Sequence, residues 1–108
     1  MKRNIQFHDY VVYDLLGHVP DISSRPMFSG YGIYKHGKIF GIIVADELYF
    51  KANTATEHYF KEQGSHPFTY TKKDHKTHTM NYWLVPEEIM EDREKLAEWI
   101  AMAIVPGW

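Results

Sequence analysis

The stretch Pro26–Ala52, PMFSGYGIYKHGKIFGIIVADELYFKA, decides the fold of this chain. It contains three segments with the composition of β-strands, which are PMFSGYGIYK, KIFGIIVA and ELYFKA. The pair His36-Gly37 between the first two segments suits a type I′ hairpin turn, because that turn needs residues that accept a positive φ. The pair Asp46-Glu47 between the second and third segments lacks the glycine that such a turn favours. The stretch therefore predicts three consecutive antiparallel strands.

Gly30 and Gly32 form a G-x-G pair inside the first of these segments. A phosphate-binding loop needs such glycines between a strand and the N-terminus of a helix, whereas a hairpin and another strand follow them here. Glycines two apart on a strand leave one face bare, which lets another group approach the backbone closely. We therefore expect a packing role, with the bare strip on the side of Phe28 and Tyr34. The other side of this strand is expected to carry Met27, Tyr31 and Ile33.

Helical patterns lie on both sides of these strands. Apolar residues at helical spacing predict a first helix over about Gln6–Leu16, followed by a loop. Thr54 and Glu57 have the spacing of a capping box, which predicts the start of a second helix. Towards the C-terminus, Pro86 suits the start of a short helix, and Asp92 is placed to cap a longer one.

Two further strand-like segments, PFTYTKK and THTMNYWLV, follow the second helix. The complete order of elements is then α-β-β-β-α-β-β-α. Consecutive hairpins give a mainly antiparallel, five-stranded sheet, and the helices are available to cover it. The predicted fold class is therefore α+β in two layers, with helices packed on the sheet. Residues 1–108 are expected to form a single domain, because this length is close to the commonest domain size.

The composition excludes several classes of function. The chain has no cysteine, so it has neither disulfides nor thiolate chemistry. Its longest apolar run, FGIIVA, is far shorter than the about 20 residues that span a bilayer, and its N-terminus lacks the apolar core of a signal peptide. The formal net charge of −2 gives no electrostatic reason for binding nucleic acid or an anionic membrane. We expect a cytoplasmic protein without a membrane partner.

The sequence lacks the common catalytic and metal-binding patterns. His75 and His78 lie three residues apart, which places them on opposite faces of a strand, so they can share a metal only if a turn separates them, and there is no H-E-x-x-H motif. No serine lies in G-x-S-x-G, and Ser29 in FSGYG is not followed by the helix that a nucleophile elbow needs. We therefore predict no catalytic residue, no metal and no cofactor, and we expect that the protein is not an enzyme.

Two surfaces are alternative candidates for binding. Lys72, Lys73 and Lys76 stand near Phe68 and Tyr70, a combination that suits the phosphates and bases of nucleic acid. Three lysines at a hairpin tip are also typical of a solvated edge, and the near-neutral net charge argues against direct nucleic-acid binding. The second surface is an aromatic sheet face that would hold a small ligand or an unrecognised enzyme activity. The residues of this second surface are Tyr31, Tyr34, Tyr49 and Trp83.

Four segments occur in the order that is typical of one known family, and they are RPMFSGYGIYKHGKIFGIIVADELYFK, GSHPFTY, MNYWLVPEEIMED and LAEW. The first contains an R-x-M-F-x-G-x-G run, formed by Arg25, Met27, Phe28, Gly30 and Gly32. With these segments the chain resembles the N-terminal domain of the bacterial competence regulators called TfoX or Sxy. In that family the run usually has a glycine where this chain has serine.

This resemblance implies both a fold and a function. The implied fold is a secretion-chaperone-like α+β domain. The implied function is a non-enzymatic regulatory or protein-interaction module in the control of DNA-transformation genes. Its partner is expected to be a protein, in the transcription machinery, and the five residues of the run are the expected interaction residues. Full-length regulators of this type carry a second, helical domain, which this chain is expected to lack.

The C-terminal segment AMAIVPGW ends on Trp108 after an apolar helix. An aromatic residue in this position belongs either to a frayed tail or to a contact between two copies of the chain. The sequence leaves both open, so a homodimer is one expected form of the protein.

Overall fold

The computed structural model of the chain describes residues 5–27, 30–71 and 75–104. The helices are Ile5–Asp9 (α1), which continues directly as a π-helical segment over Tyr10–Leu15, then Glu57–Glu62 (α2), Glu87–Met90 (α3) and Arg93–Ala103 (α4). The strands are Ile22–Met27 (β1), Gly30–Lys35 (β2), Lys38–Val44 (β3), Glu47–Lys51 (β4), Pro67–Thr71 (β5) and Thr77–Leu84 (β6).

Within the described residues, six strands form one antiparallel sheet in the order β1-β2-β3-β4-β6-β5. The α+β class is as predicted, but the sheet has six strands rather than five. The segment PMFSGYGIYK is not one strand, because β1 ends at Met27 and β2 begins at Gly30 directly opposite it. β1 itself begins at Ile22, in the region predicted as a loop. Phe28 and Ser29 lie outside the described residues.

The first helix is α-helical only at its start. The predicted helix Gln6–Leu16 is α-helical over Ile5–Asp9 and π-helical over Tyr10–Leu15. The backbone N–H of Leu16 accordingly donates to the carbonyl of Val11, five residues earlier, at 2.9 Å. The side chains of Val11 and Leu16 are both buried, so the wider π-helical turn places both of them in the core.

Two hairpin turns contain residues with left-handed backbone. His36 and Gly37 have φ values of 51° and 77°, which confirms the predicted type I′ turn between β2 and β3. The next hairpin has Ala45 and Asp46 at its centre, with φ values of 52° and 62°, one residue before the predicted pair. Aspartate tolerates the left-handed region because its short polar side chain can form local hydrogen bonds. Alanine has no such group, and its Cβ lies too close to the following carbonyl oxygen.

Ala45→Gly is therefore expected to raise the free energy of unfolding by about 0.5–1 kcal/mol, because glycine enters the left-handed region without that contact. The matched change is Gly37→Ala in the preceding hairpin, where no atom lies within 4 Å of the added Cβ. It is expected to lower the free energy of unfolding by about 1 kcal/mol through backbone strain alone. Urea unfolding of the two variants measures both values, and equal stability of both with the parent would contradict the turn assignment.

The turn that leads into α2 is held by a different pair of residues from the one predicted. Asn53 Oδ1 accepts hydrogen bonds from the backbone N–H groups of Ala55 and Thr56, at 2.8 and 2.9 Å. Thr56 Oγ1 accepts in return from the backbone N–H of Asn53 at 3.0 Å. The predicted box of Thr54 and Glu57 is wrong, because Asn53 already satisfies the free N–H groups one residue upstream.

The helices pack on one face of the sheet, which we call the helix-covered face. Its buried strand residues are Tyr31, Ile33, Phe40, Ile43, Leu48, Phe50 and Trp83. They pack in one cluster with residues that include Val11, Leu16, Phe60, Leu96, Trp99 and Ile100 from the helices. The opposite face, which we call the open face, carries the side chains that alternate with these along the strands. Its central residues Ile42 and Tyr49 are buried but do not belong to that cluster.

Candidate functional site

A single row of side chains crosses the open face from strand to strand. In order across β1, β2, β3, β4 and β6, the row consists of Arg25, Gly32, Ile42, Tyr49 and Leu84. Ile42 and Tyr49 in the middle are each only 5% exposed, whereas Arg25 at the end of the row is exposed. The open face therefore has an apolar centre and a cationic edge.

Described residues of the R-x-M-F-x-G-x-G run gather at the β1–β2 corner of the open face. The Met27 sulfur lies 2.9 Å from the position that a Cβ on Gly32 would take, so glycine at this position lets Met27 lie over the strand. The guanidinium carbon of Arg25 stands 5.5 Å from the centroid of the Tyr34 ring, within cation–π range. The prediction that Met27 faces away from this strip is wrong, because the chain reverses between Met27 and Gly30.

Gly30 serves close packing of a different kind. A Cβ on Gly30 would lie 1.8 Å from the carbonyl oxygen of Ile43 and 2.9 Å from its carbonyl carbon. The group that lies against Gly30 is therefore the backbone of β3, and not a helix or an aromatic ring.

A series of rings follows the open face toward the β5–β6 hairpin, and its members in order are Tyr49, Phe68, Tyr70 and His78. We call this series the ring ladder. The centroids of successive rings are 5.3, 6.1 and 5.5 Å apart, and the last two pairs are stacked. Lys76 is exposed beside the hairpin. Lys72 and Lys73, which were predicted to bind nucleic acid together with it, lie outside the described residues, as does Trp108.

The aromatic residues of the predicted ligand surface do not share one face. Tyr31 and Trp83 belong to the core beneath the helices and are 8% and 7% exposed. Tyr34 and Tyr49 lie on the open face. Tyr34 is three residues after Tyr31 on the same strand, so the two side chains lie on opposite faces. Tyr49 pairs with Leu84, and the preceding residue, Trp83, therefore lies on the face opposite to Tyr49.

Comparison with known families matches residues 14–105 to the TfoX N-terminal domain. This span contains the whole sheet and three of the four α-helices that the structure describes. The chain belongs to the TfoX N-terminal domain family. The match confirms the resemblance that the four sequence segments indicate. No curated protein matches the chain.

Tyr49 has the most perturbed phenol in the described part of this TfoX N-terminal domain. Burial, the nearby charge of Glu47 and a hydrogen bond to that carboxylate raise the pKa of Tyr49 from 10.0 to about 12. The Tyr49 hydroxyl donates to Glu47 Oε1 at 3.3 Å. Burial, followed by the proximity of Tyr34, also raises the pKa of Tyr82. The phenols of Tyr49 and Tyr82 are therefore held in their neutral form.

The stability of the domain is expected to depend on pH through Tyr49. Because its pKa is higher in the folded chain than in the unfolded chain, its contribution is complete below pH 10 and is lost as the pH rises to about 12. Tyr49→Phe is expected to flatten the fall in unfolding free energy over this range. Urea unfolding at several pH values from 8 to about 11.5 measures the difference. An identical pH dependence in both proteins would contradict the placement of Tyr49.

His8 makes a contact in this TfoX N-terminal domain that the sequence did not predict. Its ring nitrogens lie 2.7 Å from Ser24 Oγ and 2.9 Å from Asp9 Oδ1, and the ring centroid lies 4.2 Å from that of Tyr31. Hydroxyl, imidazole and carboxylate stand in the order of a nucleophile, a base and an orienting group. His8 is buried between α1 and the sheet while Asp9 is half exposed, so the contact anchors α1 onto β1 and β2. His8 and Ser24 are sixteen positions apart in the chain, which explains why no local motif revealed the contact.

The described residues of this TfoX N-terminal domain contain neither a cluster suited to a metal ion nor a helix suited to a membrane. Over residues 5–27, 30–71 and 75–104, no group of three or more His, Asp or Glu side chains is arranged to hold a metal ion. In the same ranges, no helix is long and apolar enough to cross a membrane.

Proposed function

We propose that this chain is a non-enzymatic regulatory module of the cytoplasm, which contacts a protein of the transcription machinery in the control of DNA-transformation genes. The observation that carries the proposal is that the described residues of the family run gather at one corner of the open face. The β1–β2 corner of that face is the proposed contact surface, and Arg25 and Tyr34 lie in it.

The composition of this corner supports a protein partner. Aromatic residues, methionine and arginine are enriched in protein interfaces, because they bury a large area and still offer a polar or charged end. Met27 and Tyr34 are half-buried, and Arg25 is exposed and stands over the Tyr34 ring. A partner that covers this corner would bury all three together. Tyrosine and arginine are also the types that dominate binding energy when an interface is truncated residue by residue.

Charge reversal on the open face tests the proposal. Arg25→Glu changes an exposed side chain, so the fold is expected to persist. Loss of a central interface arginine typically weakens binding by about 2 kcal/mol, or roughly 30-fold. The matched control is Lys95→Glu, which reverses an exposed charge on α4 on the other side of the molecule. Quantitative pull-down from the native cell is expected to lose the partner with Arg25→Glu and to keep it with Lys95→Glu.

The regulatory part of the proposal has its own readout. Deletion of the gene is expected to change the transcripts of the DNA-transformation genes, and only Lys95→Glu and the parent sequence are expected to restore them. No transcription or competence component in the pull-down, together with unchanged transcripts on deletion, would contradict the proposal.

The ring ladder favours a second candidate function, which is binding of single-stranded nucleic acid. Stacked rings beside an exposed lysine match the way in which such strands bind, with bases on rings and phosphates on cations. Tyr70→Ala is then expected to weaken binding of a labelled oligothymidine by about 1–3 kcal/mol, whereas the exposed ring of Tyr59 on α2 serves as the control. Affinity that does not fall with rising salt, or that survives Lys76→Ala combined with Tyr70→Ala, would contradict this candidate.

A further inference from the structure

A groove of about 460 Å³ lies at one end of the sheet, where the β3–β4 turn meets the first helix and α3. Its volume is in the range of about 300–1,000 Å³ that is usual for ligand clefts. The floor is apolar and includes the buried residues Leu48 and Val85, and Phe7 from the first helix and Met90 from α3 line the groove beside them. Carboxylates form the rim, and they belong to Asp46, Glu47, Glu87 and Glu91.

The charged residues among the described lining of this groove are all acidic. Among the described residues that line it, none is lysine or arginine, although the chain as a whole has 12 basic and 14 acidic residues. Asp46, Glu87 and Glu91 are exposed, so their carboxylates are available to an incoming group. Carboxylates around an apolar floor concentrate the negative potential in the cleft, because water is partly excluded there. The groove therefore selects for a positively charged occupant.

The carboxylates are spread around the rim rather than gathered at one point. Within the described ranges, no three acidic side chains are close enough to share a metal ion. Several separated positive charges match this arrangement better than one compact cation does.

The helical stretch that lines the groove carries further exposed apolar side chains. Tyr10, which lines the groove, is 44% exposed, and Ile5 and Tyr13 on the same helical stretch are 56% and 67% exposed. Exposed apolar side chains beside a charged rim are typical of a surface that contacts another protein.

We propose that this groove binds a basic segment of a partner protein, in which an apolar side chain enters the floor and flanking lysine or arginine side chains meet the rim carboxylates. The groove lies at the end of the sheet and is a site separate from the β1–β2 corner of the open face. Its occupation does not depend on the function proposed above.

Binding of a fluorescein-labelled peptide, Arg-Leu-Leu-Arg-Leu-Arg, tests the proposal by fluorescence anisotropy with the full chain. The rim variant is Glu87→Gln with Glu91→Gln, and the control is Glu62→Gln with Glu98→Gln, which removes two exposed charges elsewhere. The rim variant is expected to weaken binding about three- to tenfold, and the control is expected to leave it unchanged. Asp46→Asn, on a different element, is the second rim variant and is expected to weaken binding by a smaller factor.

Comparison peptides separate this occupant from others. Equal affinity for Glu-Leu-Leu-Glu-Leu-Glu would overturn the charge argument, and equal affinity for Arg-Gly-Gly-Arg-Gly-Arg would overturn the role of the apolar floor. The proposal also fails if the basic peptide does not bind at millimolar concentration, or if the control weakens binding as much as the rim variant. Sedimentation at the same concentrations tests a second copy as the occupant. A dimer that the rim variant dissociates would assign the groove to self-association instead.

Discussion

Gly30→Val is expected to lower the free energy of unfolding by about 3 kcal/mol or more, because the new side chain meets backbone that has no room to move. The Cβ alone would stand 1.8 Å from the carbonyl oxygen of Ile43, and the Cα of Val44 is 3.3 Å away. Both belong to β3, which is hydrogen-bonded to β2 and β4 in the middle of the sheet. Gly30→Ala is expected to lower the free energy of unfolding by a smaller amount. Urea or thermal unfolding measures both variants.

Gly32→Ala is the matched control in the same strand. A Cβ on Gly32 would meet the ends of side chains, which are the Met27 sulfur at 2.9 Å and the Ile39 Cδ1 and Tyr34 Cε1 at 3.2 Å. Such ends can rotate away, so the expected loss is about 1 kcal/mol. If Gly30→Val is as stable as the parent, β3 does not lie against Gly30, and an open groove would exist at this position.

Phe60→Ala is expected to lower the free energy of unfolding by about 3–5 kcal/mol, the usual range for removal of a buried phenylalanine. Phe60 is 2% exposed, and its ring centroid lies 4.6 Å from that of Trp99 and 6.1 Å from that of Trp83. It therefore joins α2 to both α4 and β6. The substitution removes the side chain through which α2 packs on this part of the core and leaves a cavity in its place.

The neighbouring residue provides the control for Phe60. Tyr59 is 42% exposed, and its ring lies against that of His58 on the same helix, with centroids 3.9 Å apart. Tyr59→Ala is expected to change the free energy of unfolding by no more than about 0.5 kcal/mol. Equal losses for the two substitutions would show that α2 does not dock on the sheet through Phe60.

Local sequence chemistry predicted several features of the fold correctly. Asp92 caps α4 as expected, because its side chain accepts from the backbone N–H groups of Glu94 and Lys95 at 3.1 and 3.2 Å. The turn at His36 and Gly37 was also correct, since residue type at a hairpin reports directly on the sign of φ. Both features depend only on neighbours in the chain.

Features that depend on the register of strand pairing could not be predicted from the sequence. The segments before and after this turn have the same strand-like composition. Composition therefore did not reveal that β1 and β2 are separate strands, paired at Met27 and Gly30. The face of Met27 depended on that register, and the face of Trp83 relative to Tyr49 depended on the pairing of β4 with β6. A one-residue change of register moves every side chain to the other face. The family run was recognisable from sequence, but its convergence on one corner of the sheet was not.

Site-specific photo-crosslinking in the native cell tests the central claim, that the open face contacts a regulatory protein partner. p-Benzoylphenylalanine in place of half-buried Tyr34 keeps the first aromatic ring and carries a benzoyl group on its para position on the open face, and the same residue in place of exposed Glu98 sits on α4. A covalent adduct is expected between the Tyr34 position and a protein of the transcription machinery, with no such adduct from the Glu98 position. Adducts from the Glu98 position alone, or the same adducts from both positions, would contradict it.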